Sequence, residues 1–257
     1  GQGGEGGGGS CDPAAEVCTA LFGRPNDATG LTEAQCRPRL DCNGQSWEAP
    51  DYDAAFVAKL RSYVQAEPYP VPLEDPYLGS YAPADPGTVC AAIFEAAEGT
   101  SYRLESFPSE SSAVAAGGRV THFGPCGLCS TLSDLAVYVE QPDLTEPVRA
   151  CGLQNLQGTQ EEHVACLLAL GFTEPCAHIW YFNTKHTRGQ CTEPCFAALG
   201  QPYHLPDGSL NACLQCDEEQ SGEVFKAVAG RTRRNTGLAN AMCRPCAEVQ
   251  PLVHAYP

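Results

Sequence analysis

The chain has 257 residues and a formal net charge of −16, from 31 acidic and 15 Lys or Arg side chains. This acidic excess argues against binding to nucleic acid, because affinity for the phosphate backbone comes from Lys and Arg. Hydrophobic residues make up 43% of the chain and charged residues 18%, which is typical of a folded rather than a disordered protein. The longest apolar runs, such as 164–172, are too short to span a bilayer, so no transmembrane segment is expected.

Sixteen cysteines are distributed along the whole chain. Cytosolic proteins rarely carry so many, because glutathione and thioredoxin keep thiols reduced there. We therefore expect an extracytoplasmic location (secreted, periplasmic or at the cell surface) and up to eight disulfides. Three CxxC pairs, at 126/129, 213/216 and 243/246, also have the spacing of zinc ligands. The 26 residues between the last two pairs exceed the usual zinc-ribbon gap of about 15–20, so neither a metal nor a cofactor is predicted.

The domain organisation predicted from composition has three parts. Residues 1–10 form a flexible Gly-rich tether, which is similar to the spacer after the lipidated cysteine of bacterial lipoproteins. That similarity implies a lipid anchor upstream; a linker added for expression is the alternative. Residues 11–50 hold four cysteines and little apolar periodicity, and they are interpreted as a small disulfide-stapled N-terminal lobe. Residues 51–257 form the main domain.

The fold class predicted is α+β, predominantly helical and disulfide-rich. Its clearest unit is strand–helix–strand at 102–123, with strands at 102–107 and 119–123 around a helix that ends at Gly117 and Gly118. Helical periodicity also indicates helices at 51–67, 88–97, 130–139 and through most of 144–195. The Pro-rich segment 68–86 is expected to be extended, and the tail 201–257 loop-rich, with helical stretches near 223–229 and 238–246.

The first candidate site is the turn between the second strand and the helix at 130–139. Cys126 and Cys129 lie at this helix-opening turn, where a thiol is activated most easily, and His122 precedes them as a candidate general acid or base. Over about a dozen residues the turn resembles the CGxC of thioredoxin-like oxidoreductases and the GxCGxC of papain-like proteases. Neither family is assigned. The alternatives are that both cysteines are bridged to distant cysteines and that His122 is a buried histidine bonded to the backbone.

The second candidate site is the basic segment 224–246, which has five Lys or Arg residues and no acid. At its centre Arg231, Arg233, Arg234 and Asn235 are predicted to bind a carboxylate, sulfate or phosphate, because the guanidinium fork suits these anions. An acidic protein surface would be recognised equally well. The alternative is that these arginines pair with the protein's own acids, such as those at 217–219.

The helical region also contains histidines and an aromatic run. Its three histidines, His163, His178 and His186, lack the spacing of a metal motif such as HExxH and are expected to be surface or core residues, as is His204 in a loop. The aromatic run 180–182 is interpreted as core packing or as the wall of a pocket.

Three functions fit these patterns. The first is an extracytoplasmic enzyme that acts on a small anionic molecule, with the arginine segment binding the anion and His122 and the cysteine turn near the chemistry. The second is a non-catalytic extracytoplasmic module that binds a ligand or a protein. The third is a thiol–disulfide redox protein that uses Cys126 and Cys129. The first requires His122, the cysteine turn and the arginines to meet at one cavity.

Overall fold

The structure is a computed structural model that describes residues 21–42, 45–83, 85, 87–96 and 99–257. The predicted tether at 1–10 and the first two cysteines of the predicted N-terminal lobe, Cys11 and Cys18, lie outside the described residues. In the described part the fold is α+β, as predicted, with more helix than strand. The helices are α1 (Ala54–Ser62), α2 (Glu110–Ala115), α3 (Leu132–Glu140), α4 (Thr145–Gln154), α5 (Gln160–Ala169), α6 (Glu174–Ala197), α7 (Ala212–Gln220) and α8 (Gly222–Ala229).

The strands form three small sheets. They are β1 (Leu21–Phe22), β2 (Cys36–Arg37), β3 (Arg39–Cys42), β4 (Gln45–Glu48), β5 (Val64–Gln65), β6 (Val89–Phe94), β7 (Ser101–Phe107), β8 (Arg119–Phe123) and β9 (Arg244–Pro245). The largest sheet has the order β5-β7-β6-β8, with β6 antiparallel to both β7 and β8. The predicted strand–helix–strand unit is confirmed as β7, α2 and β8. A Ser109 capping box starts its helix.

The helix predicted at 88–97 is wrong, because most of this segment is the central strand β6. Its residues form a continuous apolar run that is buried on both faces of the sheet, and such a run has neither the period of a helix nor that of a half-exposed strand. The pairing with β7 on one side and β8 on the other decides the conformation.

Most of helix α3 is buried. A Thr131 cap starts this helix, and its apolar face packs into the main core. The predicted capping box of Thr159 and Glu162 is present at the start of α5. Helix α6 begins after Thr173 and bends at Cys191, three residues before a proline that lacks the N–H needed to continue the helical bonds.

The described residues between 21 and 50 pack against the C-terminal segment. Strand β1 pairs with β2 and with β9, and Phe22, Leu40 and Ala49 share a small core with Val249. The tail differs from the prediction: β9 and a 3-10 turn at Cys246–Glu248 occupy the end of the predicted helix 238–246, and α7 was not predicted. Helix α7 carries little amphipathic pattern and is held instead by disulfides to α6.

Six disulfides are seen, and none of the cysteines in the described part of the chain is free. They join Cys36 to Cys243, Cys90 to Cys126, Cys129 to Cys176, Cys151 to Cys166, Cys191 to Cys216 and Cys195 to Cys213. The predicted disulfide-rich character is therefore confirmed. Of the helices in the described ranges, none has the length and apolar character needed to cross a membrane.

Candidate functional site

The cysteine turn is a cross-linked structural element. Cys126 is bonded to Cys90 of β6, and Cys129 to Cys176 of α6. A disulfide sulfur carries no thiolate, and the two cysteines are not bonded to each other as a redox CxxC pair would be. The structure therefore corrects the prediction that Cys126 and Cys129 act as a nucleophile or as a redox pair. The alternative of bridges to distant cysteines is confirmed.

His122 lies on β8 and is completely buried. Its Nδ1–H donates to the carbonyl of Phe123 (2.9 Å), which leaves Nε2 to accept from the Ser130 hydroxyl (2.7 Å). Burial, together with the nearby charge of Arg231, lowers the pKa of His122 well below its ordinary value, so the ring is neutral. Ser130 is equally buried, so neither side chain can contact a substrate. The prediction that His122 acts as a general acid or base is therefore wrong.

Arg231 has no exposed surface and is bonded entirely to backbone. Its Nε, Nη1 and Nη2 donate to the carbonyls of Cys129 (3.0 Å), Thr121 (2.8 Å) and Ser130 (3.0 Å). Asn235, also buried, donates to the carbonyls of Phe123 and Gly230, both at 2.7 Å. We call Arg231, Asn235 and the carbonyls that they bind the arginine knot.

The side chains of the neighbouring arginines are also bonded within the protein. Arg233 donates to the carbonyls of Tyr138 (2.7 Å) and Gln141, at the C-terminal end of α3. Arg234 binds the carboxylates of Glu218 and Glu248, both at 2.7 Å. For Arg234 the alternative of pairing with the protein's own acids is therefore confirmed.

The structure brings the two predicted sites together, but not around a cavity. His122, Cys129 and Arg231 meet at the arginine knot, where each of them is buried and bonded, whereas Cys126 is only partly buried. The predicted anion site is therefore wrong. Its side chains donate to backbone carbonyls and carboxylates of the protein itself: Arg231, Arg233, Arg234 and Asn235.

A cavity of about 320 Å³ lies elsewhere, between the helices of the second half of the chain. One face each of α4, α6, α7 and α8 lines it, and the segment 232–244 contributes to its wall. Lining residues recur every three or four positions, as in Thr145, Val148 and Gly152 of α4 and Trp180, Thr184 and Arg188 of α6. Helical faces that would otherwise pack together here enclose a space large enough for a small molecule.

The outer part of the cavity exposes large apolar side chains. Leu153 and Leu156 are 45% and 46% exposed, and Phe196 and Leu199 are 63% and 50% exposed. Single exposed apolar residues are ordinary, but a group of four around one cavity is typical of a binding surface. We call these four residues the apolar mouth.

Two polar groups in the cavity wall are incompletely satisfied. The hydroxyl of Tyr138 and the Nε1–H of Trp180 are buried and interact with each other, and the Tyr138 O–H has no acceptor among the described residues. Burial raises the pKa of Tyr138, so its phenol keeps its proton and remains a donor. An unpartnered buried donor is unfavourable, and a ligand with an acceptor atom would satisfy it.

The two carboxylates that α7 contributes to the wall are satisfied. Asp217 accepts from Thr187 and from Asn183 Nδ2 (3.5 Å), and burial raises the pKa of its carboxyl. Glu218 binds Arg234 and Arg244. These contacts hold the wall in place and leave few groups free to react.

The four histidines considered in the sequence do not form a metal site. Within the described residues there is no group of three or more His, Cys, Asp or Glu that could hold a metal ion. His186 stacks on Tyr77 with ring centroids 4.4 Å apart, His178 lies near Gln160, and His163 and His204 are buried. Of the aromatic run 180–182, Trp180 lines the cavity, so one of the two interpretations of that run is confirmed for this residue.

The comparisons with known proteins reach only part of the chain. Residues 160–252 match a family described as a "Family of unknown function (DUF8771)". This range includes α5 to α8, Arg231 and Asn235, whereas α4 and the carbonyls of β8 and the cysteine turn that Arg231 binds lie outside it. No curated protein and no solved structure matched the chain.

The arginine knot generates a stability prediction. Arg231→Met removes the guanidinium and leaves three buried carbonyls without donors, so we expect a loss of roughly 3–5 kcal/mol in the free energy of unfolding, measured by urea denaturation. The control is Arg103→Met, because Arg103 is exposed and pairs only with Glu105; such a pair contributes about 0–1 kcal/mol. Equal losses in the two variants would contradict the role of the knot.

The buried histidines predict a loss of stability in acid. Burial lowers the pKa of His254 to about 3, and that of His122 is also lowered. In the unfolded chain both take up a proton near pH 6.5. The unfolded state therefore binds more protons below this pH, and stability falls toward the folded pKa by up to about 1.4 kcal/mol per pH unit for each histidine.

Asp134 acts in the opposite direction, because burial raises its pKa to about 6. Its folded state takes up the proton first, so this group adds stability as the pH falls from about 6 toward its ordinary value. In urea unfolding between pH 6.5 and 4.5, His122→Gln should lessen the acid loss and Asp134→Asn should steepen it. The same slope in both variants and the parent would show these assignments to be wrong.

The Tyr138 hydroxyl gives a test of how well it is satisfied in the protein. Tyr138→Phe removes a hydroxyl whose proton has no acceptor among the described residues and whose oxygen interacts only weakly with Trp180, so the free energy of unfolding should fall by less than about 0.5 kcal/mol. Tyr102→Phe is the matched control, since the Tyr102 hydroxyl accepts from the N–H of Leu132 (2.9 Å). This control should lose about 1–3 kcal/mol. A comparable loss in Tyr138→Phe would mean that its hydroxyl is fully satisfied within the protein.

Proposed function

We propose that this protein is an extracytoplasmic binding protein that holds a small, mainly apolar molecule in the cavity between α4, α6, α7 and α8. The observation that carries the proposal is the cavity itself, which combines a four-residue apolar mouth with a buried donor in its wall, the Tyr138 hydroxyl, that has no acceptor among the described residues. Ligand pockets have this composition: a mostly apolar lining with a few polar groups that orient the bound molecule.

The state of the cysteines supports the location. Twelve cysteines form six disulfides, which persist in oxidising compartments and are rare in the cytosol. A secreted, periplasmic or cell-surface protein is the proposal that fits these bonds.

Binding is favoured over catalysis by the chemistry of the cavity wall. The two cysteines that line it, Cys195 and Cys213, are bonded to each other. His122, which was predicted to act as an acid or base, is buried beside the arginine knot and does not line the cavity. The wall carboxylates of Asp217 and Glu218 are held by protein donors. The non-catalytic ligand-binding module is therefore the alternative that we retain.

The apolar mouth provides the test. Leu153→Asp should weaken binding of N-phenyl-1-naphthylamine, a neutral apolar fluorophore, by about tenfold, because it places a charge where the ligand would be desolvated. Binding is measured by the rise in probe fluorescence. Leu168→Asp is the matched control: this leucine is 39% exposed on α5 and does not line the cavity.

The two variants change the same side chain at similar exposure on neighbouring helices, so they should have similar effects on stability. We expect the control to bind the fluorophore as the parent protein does. No fluorophore binding by the parent, or equal binding by both variants, would contradict a ligand site in this cavity.

A further inference from the structure

The charge of the cavity wall is opposite to that of the protein. Five arginines and three carboxylates line the cavity, so its formal charge is +2 (5 − 3) in a chain of −16. A wall of this sign favours an anion over a cation. Whether it binds an anion depends on which of these charges are already used by the protein.

The carboxylates are all used. Asp217 accepts from Thr187 and Asn183, and Glu218 binds two arginines. Asp143 accepts from the hydroxyl of Tyr203 (2.7 Å) and from Asn26 Nδ2 (3.1 Å). None of these groups therefore needs a cation from a ligand.

Four of the five arginines are used as well. Arg149 pairs with Glu146 at 2.6 Å, and Arg233 donates to two backbone carbonyls. Arg234 and Arg244 share Glu218, and Arg234 also binds Glu248. These side chains hold the wall together, and an anion would have to displace a carboxylate or a carbonyl to reach them.

Arg188 is the exception among the lining arginines that the structure describes. It is exposed and forms no ion pair with another described residue, and the hydrogen bond that its guanidinium makes is a long one, from Nη1 to the carbonyl of Leu156 (3.4 Å). A guanidinium has five N–H donors, so most of them face solvent. The side chain is therefore free to bind an oxyanion in the planar, two-bond geometry that suits carboxylates and sulfonates.

Arg188 lies beside the apolar mouth. The carbonyl that it contacts belongs to Leu156, one of the four mouth residues, just beyond the last residue of α4. A free cation and a set of exposed apolar side chains therefore share one edge of the cavity. This pair of features matches a molecule that has an apolar body and one negative group.

We propose that the ligand of this cavity is an amphiphilic anion, whose apolar body lies among the cavity helices and whose oxyanion binds Arg188 at the mouth. The proposal rests on the proposed function and adds the chemical class of the ligand. An anion site was also predicted from the sequence, but this proposal places it at Arg188, outside the basic segment 224–246.

Two probes with the same aromatic body separate the two proposals. 1-Anilinonaphthalene-8-sulfonate carries a sulfonate, and N-phenyl-1-naphthylamine is its neutral counterpart. We expect the parent protein to bind the sulfonate about five to ten times more tightly than the neutral probe at low salt, with the preference falling as salt is added. Arg188→Gln should abolish the preference and leave the affinity for the neutral probe unchanged, whereas Arg188→Lys should retain part of it.

The control variant is Arg103→Gln, which removes one exposed arginine of β7 that does not line the cavity. It should bind both probes as the parent does. Equal affinity of the parent for the two probes, or an equal loss for both in Arg188→Gln, would overturn the assignment of Arg188 while the ligand cavity stands. Loss of the sulfonate preference in Arg103→Gln as well would show an effect of net charge and would also overturn it. If the neutral probe does not bind the parent at all, the proposed function itself fails.

Discussion

The guanidinium of Arg231 is a full charge with no access to water, and three backbone carbonyls take the place of its hydration shell. Burying such a group is costly unless nearly all of its donors are satisfied. The carbonyls come from β8 and from the cysteine turn, so these two segments must keep fixed positions relative to the loop after α8. The sheet and the helical half are therefore joined at one buried charge, and the disulfide of Cys129 to Cys176 continues that connection to α6.

The basic segment shapes the cavity even though it leaves no free anion site there. Arg233 binds carbonyls at the C-terminal end of α3, where the helix dipole favours a cation, and its guanidinium lies 5.4 Å from the ring centroid of Tyr138. Arg233 therefore fixes the ring of Tyr138, whose buried hydroxyl lies in the cavity wall. Arg234 and Arg244 meet at Glu218 and hold α7 against the same segment.

Sequence patterns predicted elements with a clear period and missed those decided by long-range contacts. The unit at 102–123 and the capped helix α5 follow from local spacing and caps, whereas β6 is a strand because two neighbours pair with it. The basic segment was visible as a run of charge, but a charge count cannot distinguish an arginine bound to carbonyls from one bound to a ligand. Arg188 carried no local signal, since its freedom is defined by the pairing of the other lining arginines.

The open cavity also explains the role of three disulfides that join the helices around it. Exposed side chains such as Leu153 and Phe196 would lose contact with water if the helices closed on one another, so an empty cavity of this kind favours collapse. The bonds from Cys191 and Cys195 tie α6 to α7, and that from Cys151 ties α4 to α5. They restrict the relative movement of the walls and keep the site formed before a ligand arrives, which reduces the ordering that binding would otherwise require.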